Sequence, residues 1–332
     1  MTHTPQAFVP ARGLRSGHAQ TLYPALFRKQ PTPKIKKERF ELQDGDFVEC
    51  FWHNIDEDRE AQPIVILFHG LEGSFYSPYI QGVMHSLAGD GFASVIMHFR
   101  GCSGVDNRLP SSYHSAKTDD AKHWIKEVAH RYPNSQLFAI GYSLGGNMLL
   151  NLLAECRHDT SLTAAISISA PLQLDICADT IDNGFSKIYQ KYLMRHLKTS
   201  LLNKYKSHDM QRYIGISQKE VKKLRTFWEF DDIYTAKING FGNANNYYKK
   251  ASAKQYLKQI VTPTLIIHAL DDPFMTPDIL PKRSEISSAI ELEVYPHGGH
   301  VGFISGTITK PEYWLDRRVS RFFLGYILPK IY

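Results

Sequence analysis

The sequence predicts an α/β fold in which a mainly parallel central sheet is flanked by helices. Apolar runs of strand length alternate with helical patterns through the first half of the chain, which is the order of a parallel sheet covered on both faces. The runs are apolar at nearly every position, as expected for strands buried on both sides. The segment Gly141-Tyr142-Ser143-Leu144-Gly145 stands between one such run and a helical pattern. These observations predict a large α/β core, which 332 residues are enough to build.

The first predicted elements are an N-terminal arm and a hairpin. Residues 9–30 have the pattern of an irregular arm followed by a short helix. Lys37–Asn54 has two strand-like segments around Asp44-Gly45, which predicts a β-hairpin. Four apolar runs then predict buried strands, and the segments between and after them predict helices. The strands are Pro63–Phe68, Ala93–Phe99, Leu137–Ile140 and Ala164–Ala170, and the helices are Tyr79–Ala88, 118–131 and the segment after Ser143.

The alternation of strands and helices stops after Pro171. Residues 172–248 have helical patterns rich in polar and aromatic side chains, with no clear strand. An insertion after the sixth strand would lie over the carboxyl ends of the strands, so we predict a helical lid above Ser143. We therefore expect a core of residues 1–171 and 249–332, which includes an arm at 1–36, and a lid at 172–248. The remaining core elements are predicted to be strands Pro263–Leu270 and Ala289–Pro296 and helix Pro311–Ile327.

Composition narrows the class of protein. The chain is 43% hydrophobic and 22% charged, and it has no run near the roughly 18 apolar residues of a membrane span. The N-terminus lacks the apolar segment of a secretory signal, so we expect a cytoplasmic protein. Its four cysteines are widely spaced, as expected for reduced thiols. The sequence contains no motif for a metal, a dinucleotide or a phosphate group, so we expect no cofactor, no metal and no nucleic-acid partner.

Ser143 is the candidate nucleophile. In the strand–turn–helix context of G-x-S-x-G, a sharp turn strains the serine backbone, and Gly141 and Gly145 let other backbone pass close by. A serine hydroxyl needs an imidazole to accept its proton and a carboxylate to orient that imidazole. In hydrolases with this turn, the acid and then the histidine follow the serine along the chain, on loops after the last two strands. We therefore predict a Ser–acid–His triad.

Both of those loops contain suitable side chains. After the last strand we choose His300, because the glycines before it let the loop approach the serine, and we interpret His297 as a supporting loop residue. After the preceding strand, Asp271 and Asp272 are adjacent. We prefer Asp272 because it stands three residues after the small Ala269 and before a proline. Asp271 stays open as the alternative acid, or as an orienting group.

Two backbone amides are predicted to bind the oxyanion of the reaction. The Leu144 amide begins the helix after the serine, where N–H groups have no helical acceptor. The Leu71 amide is the second candidate, because it lies in the loop after the Pro63–Phe68 strand.

Four other side chains near this edge of the predicted sheet are interpreted as structural. Glu72 is expected to be solvated or to brace its loop, and Arg100 to brace another loop through carbonyl or carboxylate groups. His69 is expected to be structural rather than catalytic. Cys102 is expected to be a packing residue rather than a second nucleophile.

Seven stretches spread over nearly the whole chain form a specific combination. They are GLRSGHAQTLYPALFR, LFHGLEGS, MHFRGCSG, GYSLGGNM, EFDD, IIHALDDPFM and HGGHVGF. In these stretches the chain resembles the YheT-like branch of the α/β-hydrolases, which is related to eukaryotic ABHD-type lipases and yeast medium-chain acyltransferase/esterases. The resemblance implies an α/β-hydrolase fold and cofactor-free cleavage of carboxylic esters. It also implies that Ser143 is the nucleophile, that the acid lies in the Asp271-Asp272 pair and that His300 is the base. The first stretch contains His18 and Gln20, whose role the residues alone do not explain.

We therefore expect a serine hydrolase that cleaves carboxylic esters through an acyl-enzyme. The substrate is expected to be a small ester with an apolar acyl group. Two alternatives stay open, namely an acyltransferase that uses the same triad and a non-catalytic ligand-binding protein on a hydrolase fold. The net charge of +6 is concentrated at Lys29–Lys37 and Lys187–Lys223. We interpret these segments as solvated faces, and weak contact with a membrane surface stays open.

Overall fold

The computed structural model describes residues 7–56, 59 and 61–327. Its main sheet has eight strands in the order β1-β2-β4-β3-β5-β6-β7-β8. Strand β2 is antiparallel to β1 and β4, and the pairs from β4 to β8 are parallel. The strands are β1 (Lys36–Glu41), β2 (Phe47–His53), β3 (Ile64–Phe68), β4 (Ala93–Met97), β5 (Leu137–Tyr142), β6 (Leu162–Ile168), β7 (Thr264–Ala269) and β8 (Ile290–Tyr295). The predicted mainly parallel sheet and the N-terminal hairpin are confirmed.

Twelve α-helices of the described ranges surround or extend this sheet. They are α1 (Gly17–Phe27), α2 (Pro78–Gly89), α3 (Asp119–Arg131), α4 (Leu144–Cys156), α5 (Leu174–Ile181), α6 (Lys187–Ser207), α7 (Met210–Ile214), α8 (Gln218–Val221), α9 (Phe227–Phe230), α10 (Ala236–Ile238), α11 (Ala244–Ala251) and α12 (Trp314–Ile327). Those predicted after β3, β4 and β5 are present as α2, α3 and α4.

Both faces of the sheet are covered by helices, as the apolar strands require. Strands β3, β4, β5 and β7 are buried at every position. Successive residues of a strand face opposite sides, so Phe138 of β5 packs in a cluster with Val83 of α2 and Phe323 of α12. Its neighbour Ala139 belongs to the cluster that contains Trp124 of α3 and Met148 of α4. The sheet is therefore the middle of three layers.

The parallel register brings the carboxyl ends of the central strands to one edge. Phe68 pairs with Gly141, Tyr142 pairs with Ile168, and Ala269 pairs with Tyr295. The loops that follow β3, β5, β7 and β8 consequently emerge side by side. This edge is where ligands bind in open α/β sheets.

The chain between β6 and β7 forms a helical insertion that runs from α5 to α11. It contains a π-helical turn at Asp231–Thr235 between α9 and α10, and it has an apolar cluster of its own that includes Met194, Leu201 and Phe230. Its last helix ends at Ala251. The division into a core and a lid at 172–248 stays a prediction, and residues 1–6 and 328–332 of the predicted core lie outside the described part.

One detail differs from the sequence prediction. The final helix begins at Trp314 instead of Pro311, because Pro311–Tyr313 forms strand β10, which pairs with strand β9 (Ile304–Gly306). Such three-residue strands are too short to leave a pattern in the sequence. In addition, the N-terminal arm is tied to this region, since Ala11 N donates a 2.8 Å hydrogen bond to the carbonyl of Ile304.

None of the helices within the described ranges is long and apolar enough to cross a membrane.

Candidate active site

Ser143 lies at a strained turn between β5 and α4. Its backbone has φ 50° and ψ −120°, which residues with a side chain rarely adopt. A Cβ at Gly141 would overlap the carbonyl of Gly145, and one at Gly145 would overlap the carbonyl of His69. The glycines therefore allow β5, α4 and the loop after β3 to approach one another. A 2.8 Å hydrogen bond from Ser143 N to the carbonyl of Ile168 stabilises this strained conformation.

Three side chains form a hydrogen-bonded line at this turn. The Nε2 atom of His300 lies 2.9 Å from Ser143 Oγ, and its Nδ1 atom lies 2.8 Å from Asp272 Oδ2. The Asp272 side chain is completely buried, and that of His300 is 9% exposed. Asp272 also accepts a 2.9 Å hydrogen bond from Phe274 N at its other oxygen. The structure therefore brings Ser143 together with two residues that lie more than a hundred positions later in the sequence.

Asp271 and His297, the alternatives left open by the sequence, lie outside this line. Asp271 Oδ1 accepts a 2.9 Å hydrogen bond from Gly299 N, and Oδ2 lies 3.3 Å from His297 Nδ1. The carboxylate of Asp271 therefore holds the backbone of the loop that carries His300. His297 is 43% exposed at its side chain and contacts Asp271 instead of Ser143.

The imidazole of His300 is fixed by further contacts with Phe274 and Thr21, which no sequence pattern predicted. The ring of Phe274 stacks on it, with centroids 4.0 Å apart and an angle of 8° between the planes. The backbone N–H of His300 donates a 2.8 Å hydrogen bond to Thr21 Oγ1. Phe274 follows the Asp-Asp-Pro segment directly, so its position was a usable signal, whereas nothing local links Thr21 to residue 300.

The two amides that the sequence predicts as oxyanion donors belong to residues adjacent to Ser143 or to its close neighbour Gly70. Leu144 begins α4 directly after the serine. Leu71 follows Gly70, at which a Cβ would lie 3.2 Å from the Ser143 Cβ. The N–H of Gly70 is taken by Tyr79 Oη at 2.9 Å, whereas the amides of Leu71 and Leu144 have no acceptor among the described residues. Two backbone donors are thus free beside the serine, which is what an oxyanion requires.

His69 is a structural residue of the same loop. Its Nδ1 lies 2.7 Å from the carbonyl of Gly70, and its Nε2 lies 3.1 Å from the N–H of Phe99. A ring that donates from Nδ1 and accepts at Nε2 is neutral. Burial lowers the pKa of His69 to about 3, with a further contribution from His98. The imidazole therefore links the loops after β3 and β4.

Arg100 and Cys102 also have the structural roles expected from the sequence. Arg100 donates two hydrogen bonds of 2.7 Å and 2.6 Å to the carboxylate of Asp120 and one of 2.7 Å to Asp44. It thereby connects the β1–β2 turn with α3. Burial raises the pKa of the Cys102 thiol well above its usual value, which makes this sulfur a poor nucleophile at neutral pH.

Glu72 was expected to be solvated or to brace its own loop, but it also bonds to two residues outside that loop, Tyr113 and Ser200. It has φ 52°, and its N–H donates a 2.8 Å hydrogen bond to Tyr113 Oη. Its carboxylate accepts hydrogen bonds from Tyr113 Oη at 2.9 Å and from Ser200 Oγ of α6 at 2.7 Å. The residue after Leu71 is therefore bound by the core and by the helical insertion.

A cavity of about 130 Å³ opens beside Ser143, between the core and the insertion. Most of its wall is apolar, with Leu144 and Pro171 from the core and Leu197 and Phe227 from the insertion. Lys204 also reaches the wall, but its ammonium donates to Asn107 Oδ1 at 2.6 Å and to the carbonyl of Leu109 at 2.9 Å. Burial lowers the pKa of Lys204 to about 8. The ammonium group of Lys204 is thus hydrogen-bonded to acceptors of the core.

The described residues contain no group of three or more His, Cys, Asp or Glu side chains that could hold a metal ion. The arrangement at Ser143 has the groups that acyl transfer requires, namely a hydroxyl, an imidazole within hydrogen-bond distance of it, a carboxylate at the other ring nitrogen and unpaired backbone N–H donors.

Comparison with known sequences gives consistent matches. The family model described as the alpha/beta hydrolase fold matches residues 63–307. The chain is 41% identical over 323 residues to the Escherichia coli K12 protein named "Putative esterase YheT", and the alignment covers 97% of this chain and 94% of that relative. It is 25% identical over 323 residues to human "Phospholipase ABHD3", with 96% and 78% covered. A yeast protein named "Medium-chain fatty acid ethyl ester synthase/esterase 2" is 28% identical over 298 residues, with 82% and 65% covered.

Solved structures show the same fold. The Pyrococcus furiosus esterase Pf2001 superposes with a TM-score of 0.58 over 90% of this chain and 92% of that chain, at 17% identity. Est1E from Butyrivibrio proteoclasticus superposes with a TM-score of 0.52, and covers 86% and 97% of the two chains at 14% identity.

Proposed function

The chain belongs to the YheT-like branch of the α/β-hydrolase fold family, and on that premise we propose that it is a serine hydrolase that cleaves carboxylic esters through an acyl-enzyme. The observation that carries the proposal is the unbroken line from Ser143 Oγ through the His300 imidazole to Asp272, with contacts of 2.9 Å and 2.8 Å. The names of the relatives, an esterase and a phospholipase, support the same class of reaction.

In the proposed acylation step, Ser143 Oγ attacks the ester carbonyl carbon while His300 Nε2 accepts the hydroxyl proton. Asp272 binds Nδ1–H and stabilises the imidazolium that forms. The carbonyl oxygen becomes an oxyanion, to which the amides of Leu71 and Leu144 donate hydrogen bonds. The carbon–oxygen bond to the alcohol then breaks, and the alcohol leaves with the proton from Nε2. The acyl group remains on Ser143 as an ester.

Deacylation repeats the sequence with water. His300 Nε2 accepts a proton from water as the water oxygen attacks the acyl carbon, and the same two amides hold the new oxyanion. The bond to Ser143 Oγ breaks, and the proton returns from Nε2 to the serine. The products are a carboxylic acid and the regenerated enzyme.

We propose that the helical insertion acts as a lid that closes the site and contacts the acyl group. This proposal is supported by the cavity beside Ser143. Leu197 and Phe227 of the insertion line the same cavity as Ser143 and Leu144 of the core. An apolar wall suits the hydrocarbon chain of an acyl group. We therefore expect a small ester with an apolar acyl group as the substrate.

The test compares the Ser143→Ala variant with the unmodified protein on p-nitrophenyl butyrate. We expect kcat to fall by about 10⁵- to 10⁶-fold, with unchanged thermal unfolding, because only one hydroxyl is removed. Ser305→Ala is the matched control, since Ser305 Oγ is exposed and bonds to the carbonyl of Glu312. A fluorophosphonate probe should label the unmodified protein and not Ser143→Ala. Absence of turnover and of labelling in the unmodified protein would instead support a non-catalytic binding protein.

Acyl transfer to an alcohol is a second candidate, which the yeast relative's printed name as an ester synthase/esterase favours. The same acyl-enzyme would then react with an alcohol in place of water. The test adds ethanol to the assay and measures ethyl butyrate and butyrate by gas chromatography. A ratio of ester to acid above the molar ratio of ethanol to water would support an acyltransferase, and a ratio below it would support a hydrolase.

Weak contact with a membrane surface is a further part of the proposal. Phe185, Ile188 and Tyr192 are each more than half exposed near the start of α6, and Lys187 and Lys191 stand beside them in the sequence. Exposed apolar side chains flanked by lysines favour anionic bilayers. Flotation with phosphatidylserine vesicles should recover the unmodified protein and less of an Ile188→Ser/Tyr192→Ser variant. Equal recovery of the unmodified protein and the variant would contradict the proposed membrane contact.

A further inference from the structure

The start of α1 lies directly against the loop that carries His300. This start comprises Gly17, His18, Ala19, Gln20 and Thr21, and we call it the N-terminal brace. Thr21 Oγ1 accepts a 2.8 Å hydrogen bond from the backbone N–H of His300 and donates one of 2.7 Å to the carbonyl of Gly17. Because the hydroxyl proton is directed to Gly17, a lone pair of the same oxygen faces His300. The hydroxyl therefore has a defined orientation.

Contacts between backbones show that the brace and this loop are closely fitted. A Cβ at Gly299 would overlap the carbonyl of Gly17, and a Cβ at Gly302 would overlap the carbonyl of Gln20. On the other side, a Cβ at Gly17 would overlap the carbonyl of Asp271. The brace is thus in backbone contact with the histidine loop and with the residue before Asp272.

Gln20 fixes the end of the same loop. Its side chain is fully buried, accepts a 2.6 Å hydrogen bond from Ile304 N, and donates one of 3.1 Å to the carbonyl of Ile304. The amide also donates a 2.6 Å hydrogen bond to the carbonyl of Leu14. One side chain therefore pairs both backbone groups of Ile304, four residues after His300.

The histidine loop needs such support because its backbone is strained. The φ angles are 148° at Gly298, 59° at Gly299, 61° at Val301 and 47° at Phe303. A β-branched or aromatic residue in the left-handed region costs free energy and persists only where surrounding contacts hold it. The hydrogen bonds from the brace fall at His300 and Ile304, on both sides of Val301 and Phe303. They are placed to hold the strained conformation that directs the imidazole to Ser143.

The brace also contacts the helical insertion. His18 Nδ1 lies 3.1 Å from Tyr189 Oη of α6, and the two rings stack with centroids 5.8 Å apart. The Tyr189 ring lies 5.0 Å from Phe274, which stacks on His300. The imidazole of His300 is therefore supported through its backbone by Thr21 and through its ring by Phe274, and His18 connects the two supports.

We propose that the N-terminal brace is a positioning element of the active site, in which Thr21 holds the backbone of His300 so that Nε2 meets Ser143 Oγ. The inference rests on the proposed function of Ser143, Asp272 and His300. Thr21 itself does not touch the reacting atoms. A shift of the imidazole by a fraction of an ångström lowers the rate of proton transfer and leaves the apolar cavity that binds the acyl group unchanged.

The test replaces Thr21 with valine, which keeps the shape and removes the hydroxyl, and with serine, which keeps the hydroxyl. We expect Thr21→Val to lower kcat on p-nitrophenyl butyrate by about tenfold or more, with KM unchanged within about twofold. Thr21→Ser should restore kcat to within about threefold of the unmodified value. Fluorophosphonate labelling of Ser143 should slow in parallel with kcat, because it uses the same activated hydroxyl.

Thr199→Val is the matched control. Thr199 Oγ1 donates the same kind of bond to the carbonyl four residues earlier, Arg195, but Thr199 is exposed. This variant should keep the unmodified kcat. Equal kcat in Thr21→Val and Thr199→Val would overturn the inference and leave the proposed function intact, whereas an unmodified protein without ester turnover would overturn the proposed function first.

Thermal unfolding separates positioning from folding. Thr21→Ala adds no new bulk and serves where Thr21→Val fails to fold. If both variants are unfolded at assay temperature while Thr21→Ser folds, the hydroxyl is a folding residue, and the inference is wrong. If either variant is folded with a reduced kcat and an unchanged KM, the inference holds.

Discussion

Ser200 Oγ donates a 2.7 Å hydrogen bond to Glu72, although 128 residues separate the two along the chain. Ser200 lies on α6 of the helical insertion, and Glu72 directly follows Leu71, whose amide is a proposed oxyanion donor. The other carboxylate oxygen of Glu72 accepts a hydrogen bond from Tyr113 of the core. The position of the oxyanion loop is thereby coupled to the position of the insertion.

Removal of this bond is expected to lower the rate and not the affinity. Ser200→Ala should reduce kcat for p-nitrophenyl butyrate by about three- to tenfold, because a hydrogen bond to a charged group helps to hold the oxyanion loop. Ser207→Ala is the matched control, since Ser207 Oγ donates a hydrogen bond within α6, to the carbonyl of Lys204. A Ser200→Ala variant with the kinetics of the control would show that the insertion does not influence the loop.

The two adjacent aspartates are expected to differ strongly in effect. Asp272→Asn should lower kcat by about 10³- to 10⁴-fold, because an amide at this position no longer stabilises the imidazolium of His300. Asp271→Asn should lower kcat by less than about tenfold, since its amide oxygen can still accept the hydrogen bond from Gly299 N. Steady-state kinetics on one ester measure both. The reverse order of effects would assign the acid to Asp271.

The stacked ring of Phe274 is expected to matter for turnover. Phe274→Leu keeps an apolar side chain but removes the flat face that lies 4.0 Å from the His300 ring. We expect kcat to fall by about fivefold, because the aromatic face both fixes the ring plane and attracts the imidazolium charge. Phe274→Tyr should keep most of the activity. The control is Phe241→Leu, since the Phe241 ring packs on His114 and Tyr247, and a loss equal to that in Phe274→Leu would contradict the role.

The folded protein is expected to lose stability as the pH falls below about 6.5. Burial lowers the pKa of His69 to about 3, of His98 to about 4 and of His114 to about 3. Below pH 6.5 the unfolded chain binds protons at these histidines and the folded protein does not. Each histidine therefore lowers the free energy of unfolding by about 1.4 kcal/mol per pH unit between the two pKa values.

Urea denaturation at pH 7, 6 and 5 measures this loss. A His98→Gln variant should show a shallower decline than the unmodified protein by the contribution of one histidine. His130→Gln is the control, because His130 is exposed on α3. A free energy of unfolding that is constant from pH 7 to pH 5 would show that the buried histidines do not control acid stability.

Much of the fold could be predicted because its determinants are local. Strands β3, β4, β5 and β7 are buried at every position, and their nearly continuous apolar character distinguished them from half-exposed strands, in which apolar and polar residues alternate. The G-x-S-x-G segment likewise predicted the turn from local residues alone, since Gly141 and Gly145 are needed where backbone segments pass close to one another at Ser143. The start of the last helix could not be predicted, because Pro311–Tyr313 is a strand only through its pairing with Ile304–Gly306.

The sequence was enough to predict which loops carry the candidate site. It was not enough to predict which side chains of those loops contact one another. Order along the chain and parallel topology placed the serine, the acidic pair and the histidines at one edge of the sheet. The choice between Asp271 and Asp272 stayed open in the sequence, because both residues stand in the same turn. The assignment of these residues as catalytic stays a prediction, which the variants above test.

The sequence by itself determined the α/β class, the serine turn and the candidate side chains, because hydrophobic period and turn chemistry act over a few neighbouring residues. Only the tertiary structure decided which aspartate meets His300, and that Thr21 bonds a residue 279 positions away. A hydrogen bond needs its two atoms within about 3 Å. Side-chain direction at that scale depends on how the strands, the insertion and the N-terminal brace pack together, and no local pattern records it.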